Sequence, residues 1–138
     1  MAGLIRFGVS LEKALLAKFD RLIKEKNYPT RSGAIRDLIR ESLIQKEWLE
    51  GKGVAGAITL VYDHRKRELV NRLTNIQHDY HHIIISTQHI HLDHNNCLEI
   101  VVVKGKPKDA ERLCHALKST NGVKHGALTM ATTGKEIP

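Results

Sequence analysis

The sequence predicts an α+β chain of two modules, a β-α-α segment followed by a β-α-β-β-α-β domain. Three observations carry this. Residues 5–10 alternate apolar and polar with the period of a strand, and two stretches of helical periodicity follow. A glycine-flanked break, Gly51-Lys-Gly53, then separates them from a longer run of strand and helix patterns. At 138 residues and 41% apolar composition the chain can bury a globular core, and no continuous apolar run is long enough to span a membrane.

In the first module, residues 1–50, Ile5, Phe7 and Val9 share one strand face and Arg6, Gly8 and Ser10 the other. Ser10 is placed to cap a helix with the apolar stripe Leu15, Leu16, Phe19, Leu22 and Ile23. Asn27-Tyr-Pro29 ends that helix, because the residue before proline is driven out of the helical region. Thr30 is the expected N-cap of a second helix, with Ala34, Ile35, Leu38, Ile39 and Leu43 along its buried side. A strand and two helices cannot bury enough surface to stand alone. The economical solution is a dimer whose two strands pair antiparallel, with Arg6, Gly8 and Ser10 facing outward.

Residues 51–53 read as a hinge and residues 54–138 as the second module. Val54–Tyr62 is apolar and strand-like, and Arg65–His78 is helical with Leu69, Leu73 and Ile76 on one side. Two strands, Ile83–Leu92 and Cys97–Lys104, flank the turn-rich Asp93-His-Asn-Asn96. Pro107 suits the first turn of a helix through Ser119, and Asn121-Gly122 turns into a last strand, Val123–Met130. That order is the ferredoxin-like arrangement.

Six of nine histidines lie between His78 and His94, with Cys97 just beyond. Residues two apart on a strand share a face, so His89 and His91 project together, about 7 Å apart at the backbone. If Cys97 pairs across from His91, its Cβ comes within about 5 Å of that histidine's. The same register sets Glu99 opposite His89, where a carboxylate can accept the unbound imidazole N–H and fix its tautomer. A slip of one residue would turn Cys97 to the other face. His, His and Cys leave room for a further ligand from His78, His81, His82 or His94. Closed tetrahedral coordination would suit zinc, and nitrogen-rich planar coordination Ni(II) or Cu(II). His64, His115 and His125 read as ordinary polar residues, and Cys114, in phase with Leu113 and Leu117, as a small buried hydrophobe. Cys97 beside a histidine also has the look of a nucleophile–base pair, but no glycine-rich oxyanion loop adjoins it, so the chain is not read as an enzyme.

The net charge of +7 suits an anionic partner. It is divided between the modules, ten Lys/Arg against seven Asp/Glu in residues 1–50 and twelve against eight beyond, so particular residues must carry the case for DNA. A two-stranded ribbon fits the major groove, where the Arg6 fork matches guanine O6 and N7 and Ser10 can donate or accept. Gly8 offers backbone proximity alone. The N-terminus of the second helix, with Arg31 and Ser32, suits a DNA phosphate. The opening residues lack the layout of a secretion signal, so the cytoplasm is expected.

From Ile5 to about Met130 the chain resembles the NikR family of nickel-responsive transcriptional regulators. The first half matches its ribbon-helix-helix pattern in Arg31-Ser-Gly-Ala-Ile-Arg-Asp-Leu-Ile-Arg40. The second half resembles its ACT-type regulatory domain in Tyr62-Asp-His, Ile76-Gln-His78, Thr87-Gln-His-Ile-His91, Cys97-Leu-Glu99 and Gly122-Val-Lys-His125. The resemblance implies square-planar Ni(II) held by His89, His91 and Cys97 of one subunit and His78 of another. It further implies a homotetramer with a ribbon dimer at each end, operator DNA read from Arg6, Gly8 and Ser10, and backbone contacts from Lys66 and Arg67. Repression of nickel-uptake genes is the implied activity. Some family members carry a glutamate where this chain has Gly33, which with Asp37 would hold an auxiliary cation; here Asp37 alone remains. Two other readings are a metal-buffering or delivery protein, and a regulator that senses an amino acid through the ACT-like half.

Overall fold

The structure, a computed structural model, describes residues 3–138. The chain divides into two compact units, residues 1–40 and 41–138.

In the first unit, residues 3–12 form neither helix nor sheet in the single chain. The expected strand has no neighbour here, and Ile5, Phe7 and Val9 stand 88%, 71% and 59% exposed. Helix α1 spans Lys13–Glu25 and α2 spans Arg31–Leu49. Ser10 does not cap α1. Extended backbone continues through Glu12, which occupies the cap position without a side-chain bond, so Ser10 lies short of the first turn. The helix ends where Asn27 enters the left-handed region at φ 60° and Tyr28 N–H closes back on the Ile23 carbonyl at 3.0 Å. Thr30 caps α2 as expected, its hydroxyl accepting Gly33 N–H at 3.0 Å.

The second unit is a four-stranded antiparallel sheet with strands β1 (Val54–Asp63), β2 (Ile84–His91), β3 (Asn96–Gly105) and β4 (Val123–Met130) in the order β2-β3-β1-β4. Helices α3 (Arg67–Asp79) and α4 (Pro107–Lys118) complete the β-α-β-β-α-β sequence. Burial alternates along β1 and β3. One sheet face, with Ile58, Leu60, Tyr62, Val101 and Val103, packs in a core with Leu69 and Leu73 of α3 and Leu113 and Leu117 of α4. The other face, including Val61, Leu98, Ile100 and Val102, is only half-buried. Helix α3 begins two residues later than expected because the Asp63 carboxylate takes the Arg65 N–H at 2.9 Å and forms a turn first.

The last turns of α2 belong to this unit. Trp48 is 5% exposed and donates its indole N–H to the Ala131 carbonyl at 2.9 Å, and Glu47 accepts from the Thr132 hydroxyl. Beyond α2, Gly51 at φ 72° turns the chain toward β1. Where α4 crosses β4, a Cβ on Gly126 would lie 2.8 Å from Lys118 Cβ and 3.1 Å from its Cα. Gly126→Ala must therefore push helix from sheet and should cost about 1–3 kcal/mol, read as a lower urea midpoint at unchanged slope.

Candidate metal centre

The β2–β3 ladder has the expected register: His91 faces Cys97 and His89 faces Glu99. An irregularity between Ile84 and Ser86 sets that phase, so the four side chains share the sheet face that carries the core. Cys97 and Glu99 are buried, and both histidines lie on the exposed edge strand. Cys97 Sγ and His89 Nδ1 approach to 3.9 Å.

The buried Glu99 carboxylate organises the surroundings. Its Oε1 accepts from His89 Nε2 at 2.9 Å and from the Tyr62 hydroxyl at 3.0 Å, and its Oε2 from Gln77 Nε2 at 2.7 Å. A buried carboxylate without such donors would be strongly unfavourable. Three donors from β1, β2 and α3 compensate it, and the Gln77 carbonyl is held in turn by the Thr87 hydroxyl at 3.2 Å. Burial, followed by the Glu99 charge, pushes the Tyr62 phenol far above its ordinary value, so it stays a donor. With Nε2–H committed to Glu99, the lone pair of His89 sits on Nδ1 and faces the thiol. Tyr62 and Gln77 carry no metal-ligand signature in sequence, since a tyrosine on an apolar strand reads as core. The Gln-His pair at 77–78 was the available hint.

His91 shares the face, and its ring lies parallel to that of His64, at 4.3 Å between centroids and 4° between planes. His78 is on the last turn of α3, exposed, with its ring 5.8 Å from that of His81. His82 lies 3.7 Å from the Asp109 carboxylate, and His94 is exposed in the turn. Among the described residues of the single chain, no three His, Cys, Asp or Glu side chains gather closely enough to enclose an ion. One chain thus brings together a sulfur and an imidazole nitrogen, adds a second imidazole on the same face, and leaves the set open. Imidazole and thiolate donors fit a late first-row divalent metal.

The basic residues sort differently. Arg6, Gly8 and Ser10 are exposed, as are Ser32, Lys66 and Arg67. Arg31 is engaged with Asp20 in a two-pronged pair at 2.8 and 2.9 Å, which lowers the Asp20 carboxyl below its ordinary value. Asp37 accepts from the Tyr28 hydroxyl and lies 3.8 Å from Arg40, so its carboxylate already has partners, and Gly33 supplies no second one.

Ahead of Lys66, Asp63 accepts from Arg65 side-chain and backbone N–H groups, which hold its carboxyl at about 2 against an ordinary 3.8. The folded value is depressed, so this contribution to stability is complete above about pH 4 and is lost as pH falls through about 2. Asp63→Asn should destabilise the protein at neutral pH. The gap between wild-type and variant urea midpoints should close across that acid window.

Comparison with known proteins gives two family matches. Residues 5–46 match the ribbon-helix-helix protein, copG family, and residues 55–131 match the NikR C terminal nickel binding domain. Proteins named as nickel-responsive regulators are similar over nearly the whole chain. That of Syntrophus aciditrophicus is 57% identical over 98% of both chains, and that of Nitratidesulfovibrio vulgaris (strain Miyazaki F) is 54% identical over 99% of both. That of Chlorobaculum tepidum is 57% identical over 96% of this chain and 98% of its own. The structure of an uncharacterized protein from Thermotoga maritima shares the fold at TM-score 0.51 and 15% identity, over 56% of this chain and 96% of that one.

Proposed function

Because the chain belongs to the NikR family of nickel-responsive DNA-binding regulators, we propose that His89, His91 and Cys97 of one protomer and His78 of another hold Ni(II). The observation that carries this reading is the β2–β3 register, which puts Cys97 opposite His91 and within 3.9 Å of His89 Nδ1, with Glu99 holding Nε2. The family is one of transcription regulators, not enzymes. Residues 1–50 are the DNA-binding module, 51–53 the linker and 54–138 the metal-binding and tetramerising module; the matched ranges 5–46 and 55–131 support that division, although residues 41–49 of α2 pack with the second unit.

The assembly is a homotetramer built from two ribbon dimers. Two exposed apolar surfaces support it. Within the first unit Leu4, Ile5, Phe7, Val9, Ile35 and Ile39 line a groove of about 570 Å³, which a second copy's strand and helices would fill. In the second unit the sheet face with Leu98, Ile100 and Val102 is left half-buried. Paired strands would then present Arg6, Gly8 and Ser10 to the major groove, with Lys66 and Arg67 on the DNA backbone. Arg31 and Ser32 stand at the start of α2 near the phosphates, Arg31 oriented by Asp20. The protein works in the cytoplasm, and among the described residues no helix is long and apolar enough to cross a membrane.

Metal response follows from linkage. Bound Ni(II) would draw on lone pairs that the full donor set alone can supply. Glu99 keeps His89 Nδ1 turned toward Cys97, and His78 must arrive from a neighbour. The quaternary state in which the four donors meet is therefore favoured, by its excess affinity for metal over other states. If that state sets both ribbons on successive major grooves, DNA affinity rises with nickel, and nickel-uptake genes are repressed.

A DNA mobility shift on the adjacent promoter, with Ni(II), Cu(II), Zn(II) or chelator, tests this directly. Nickel should strengthen retardation of the wild type, and His89→Ala should fold normally but lose the response. Unaltered nickel-dependent retardation by His89→Ala would discard this hairpin as the site, whereas nickel binding without any change in retardation would favour a buffering protein. Arg6→Ala should weaken operator binding by about 1–3 kcal/mol and relax discrimination at one base pair, measured by competition with single-site operator variants.

A further inference from the structure

His64 lies next to the metal centre, yet its sequence context marks it as an ordinary polar residue. It follows the last residue of β1, and its N–H donates to the Asn95 carbonyl at 3.0 Å, tying the β1–α3 turn to the β2–β3 loop. That bond anchors the backbone on which the ring is carried. The ring lies flat on His91, 4.3 Å between centroids and 4° between planes. Its Nε2 is buried and, among the described residues, has no hydrogen-bond partner.

We propose that His64 is a positioning residue for metal binding: its imidazole forms the platform that holds the His91 ring in the orientation needed for coordination. The inference rests on the assignment of His91 as a ligand. An imidazole's coordinating lone pair lies in the plane of its ring. Two parallel rings in face-to-face contact direct their lone pairs along separate planes, and metal–nitrogen bonds of about 2 Å leave no single point that both can reach. The stacked arrangement therefore excludes His64 as a co-ligand with His91 while giving it a different task. His91 is on an exposed edge strand and, among the described residues, has no carboxylate partner to orient it, unlike His89, which Glu99 holds. A face-packed ring restricts its rotation, covers one side from water, and offers π density to an imidazole that becomes electron-poor on binding a cation. The two histidine ligands are thus oriented by different means, one by a hydrogen bond and the other by stacking.

The test compares full-length wild type with His64→Ala, His64→Leu and His64→Phe, using His91→Ala as reference. Ni(II) affinity is measured by chelator competition, the thiolate-to-nickel absorption band is recorded, and folding is followed by circular dichroism. His64→Ala and His64→Leu should lower nickel affinity about 10–100-fold, the usual size of an orienting partner's effect, with an altered band. His64→Phe, which keeps a flat ring, should restore both affinity and band to near wild type. Should the alanine variant not fold, the leucine and phenylalanine variants carry the same contrast. The proposal is overturned if folded His64→Ala or His64→Leu binds nickel like wild type. It is equally overturned if His64→Phe fails as fully as the others, since the nitrogen rather than the ring would then matter. Wild-type affinity in His91→Ala overturns it at a different level, by removing His91 from the ligand set.

Discussion

A buried carboxylate anchors the regulatory half of this protein. Glu99 is 1% exposed, and it gathers Tyr62 from β1, Gln77 from α3 and His89 from β2 around two oxygens. Such a charge is tolerable inside a protein when its lone pairs are filled, so the three elements are held to one arrangement by the need to supply donors. The same contacts decide which nitrogen of His89 is left to face Cys97. Fold and site chemistry thus share one constraint, and the helix bearing Gln77 is the helix whose next residue is His78.

The single chain is incomplete in two senses that point the same way. The proposed ligand set stays open among the described residues, with a sulfur and an imidazole in proximity, a second imidazole stacked aside, and His78 out on α3. Its apolar surface is also open, along residues 4–9 of the first unit and on the far face of the sheet in the second. Groups that need covering and donors that need partners are a natural basis for coupling metal occupancy to assembly. In the proposed assembly, another copy of the same sequence would supply what each protomer lacks.

Much of the metal hairpin could be read from residue order, because strand geometry is periodic. His89 and His91 share a face by spacing, and a five-residue connection puts Cys97 across from His91. The ladder has that register. Cap chemistry was less transferable: Thr30 behaves as its type and context suggest, whereas Ser10 is stranded by extended backbone running on through Glu12. Helical periodicity puts the start of α3 two residues early, because the Asp63 side chain competes for Arg65's N–H, a local choice that periodicity does not register. Arg31 opens the helix whose N-terminus suits a phosphate, and its pairing with Asp20, eleven residues away, is a contact that helical spacing does not show.

Sequence alone determined the α+β order of elements, the common face of His89, His91, Cys97 and Glu99, and membership of a nickel-responsive family. The first two depend on periodicity and spacing along one chain, and the third on the likeness of its motifs to those of known regulators. Tertiary structure alone decided that Tyr62 and Gln77 complete the Glu99 cluster, that His64 lies flat on His91, and that Trp48 joins the core of the second unit. Those contacts join residues distant in sequence. Their partners are chosen by which surfaces meet when sheet and helices pack, and no local pattern encodes that choice.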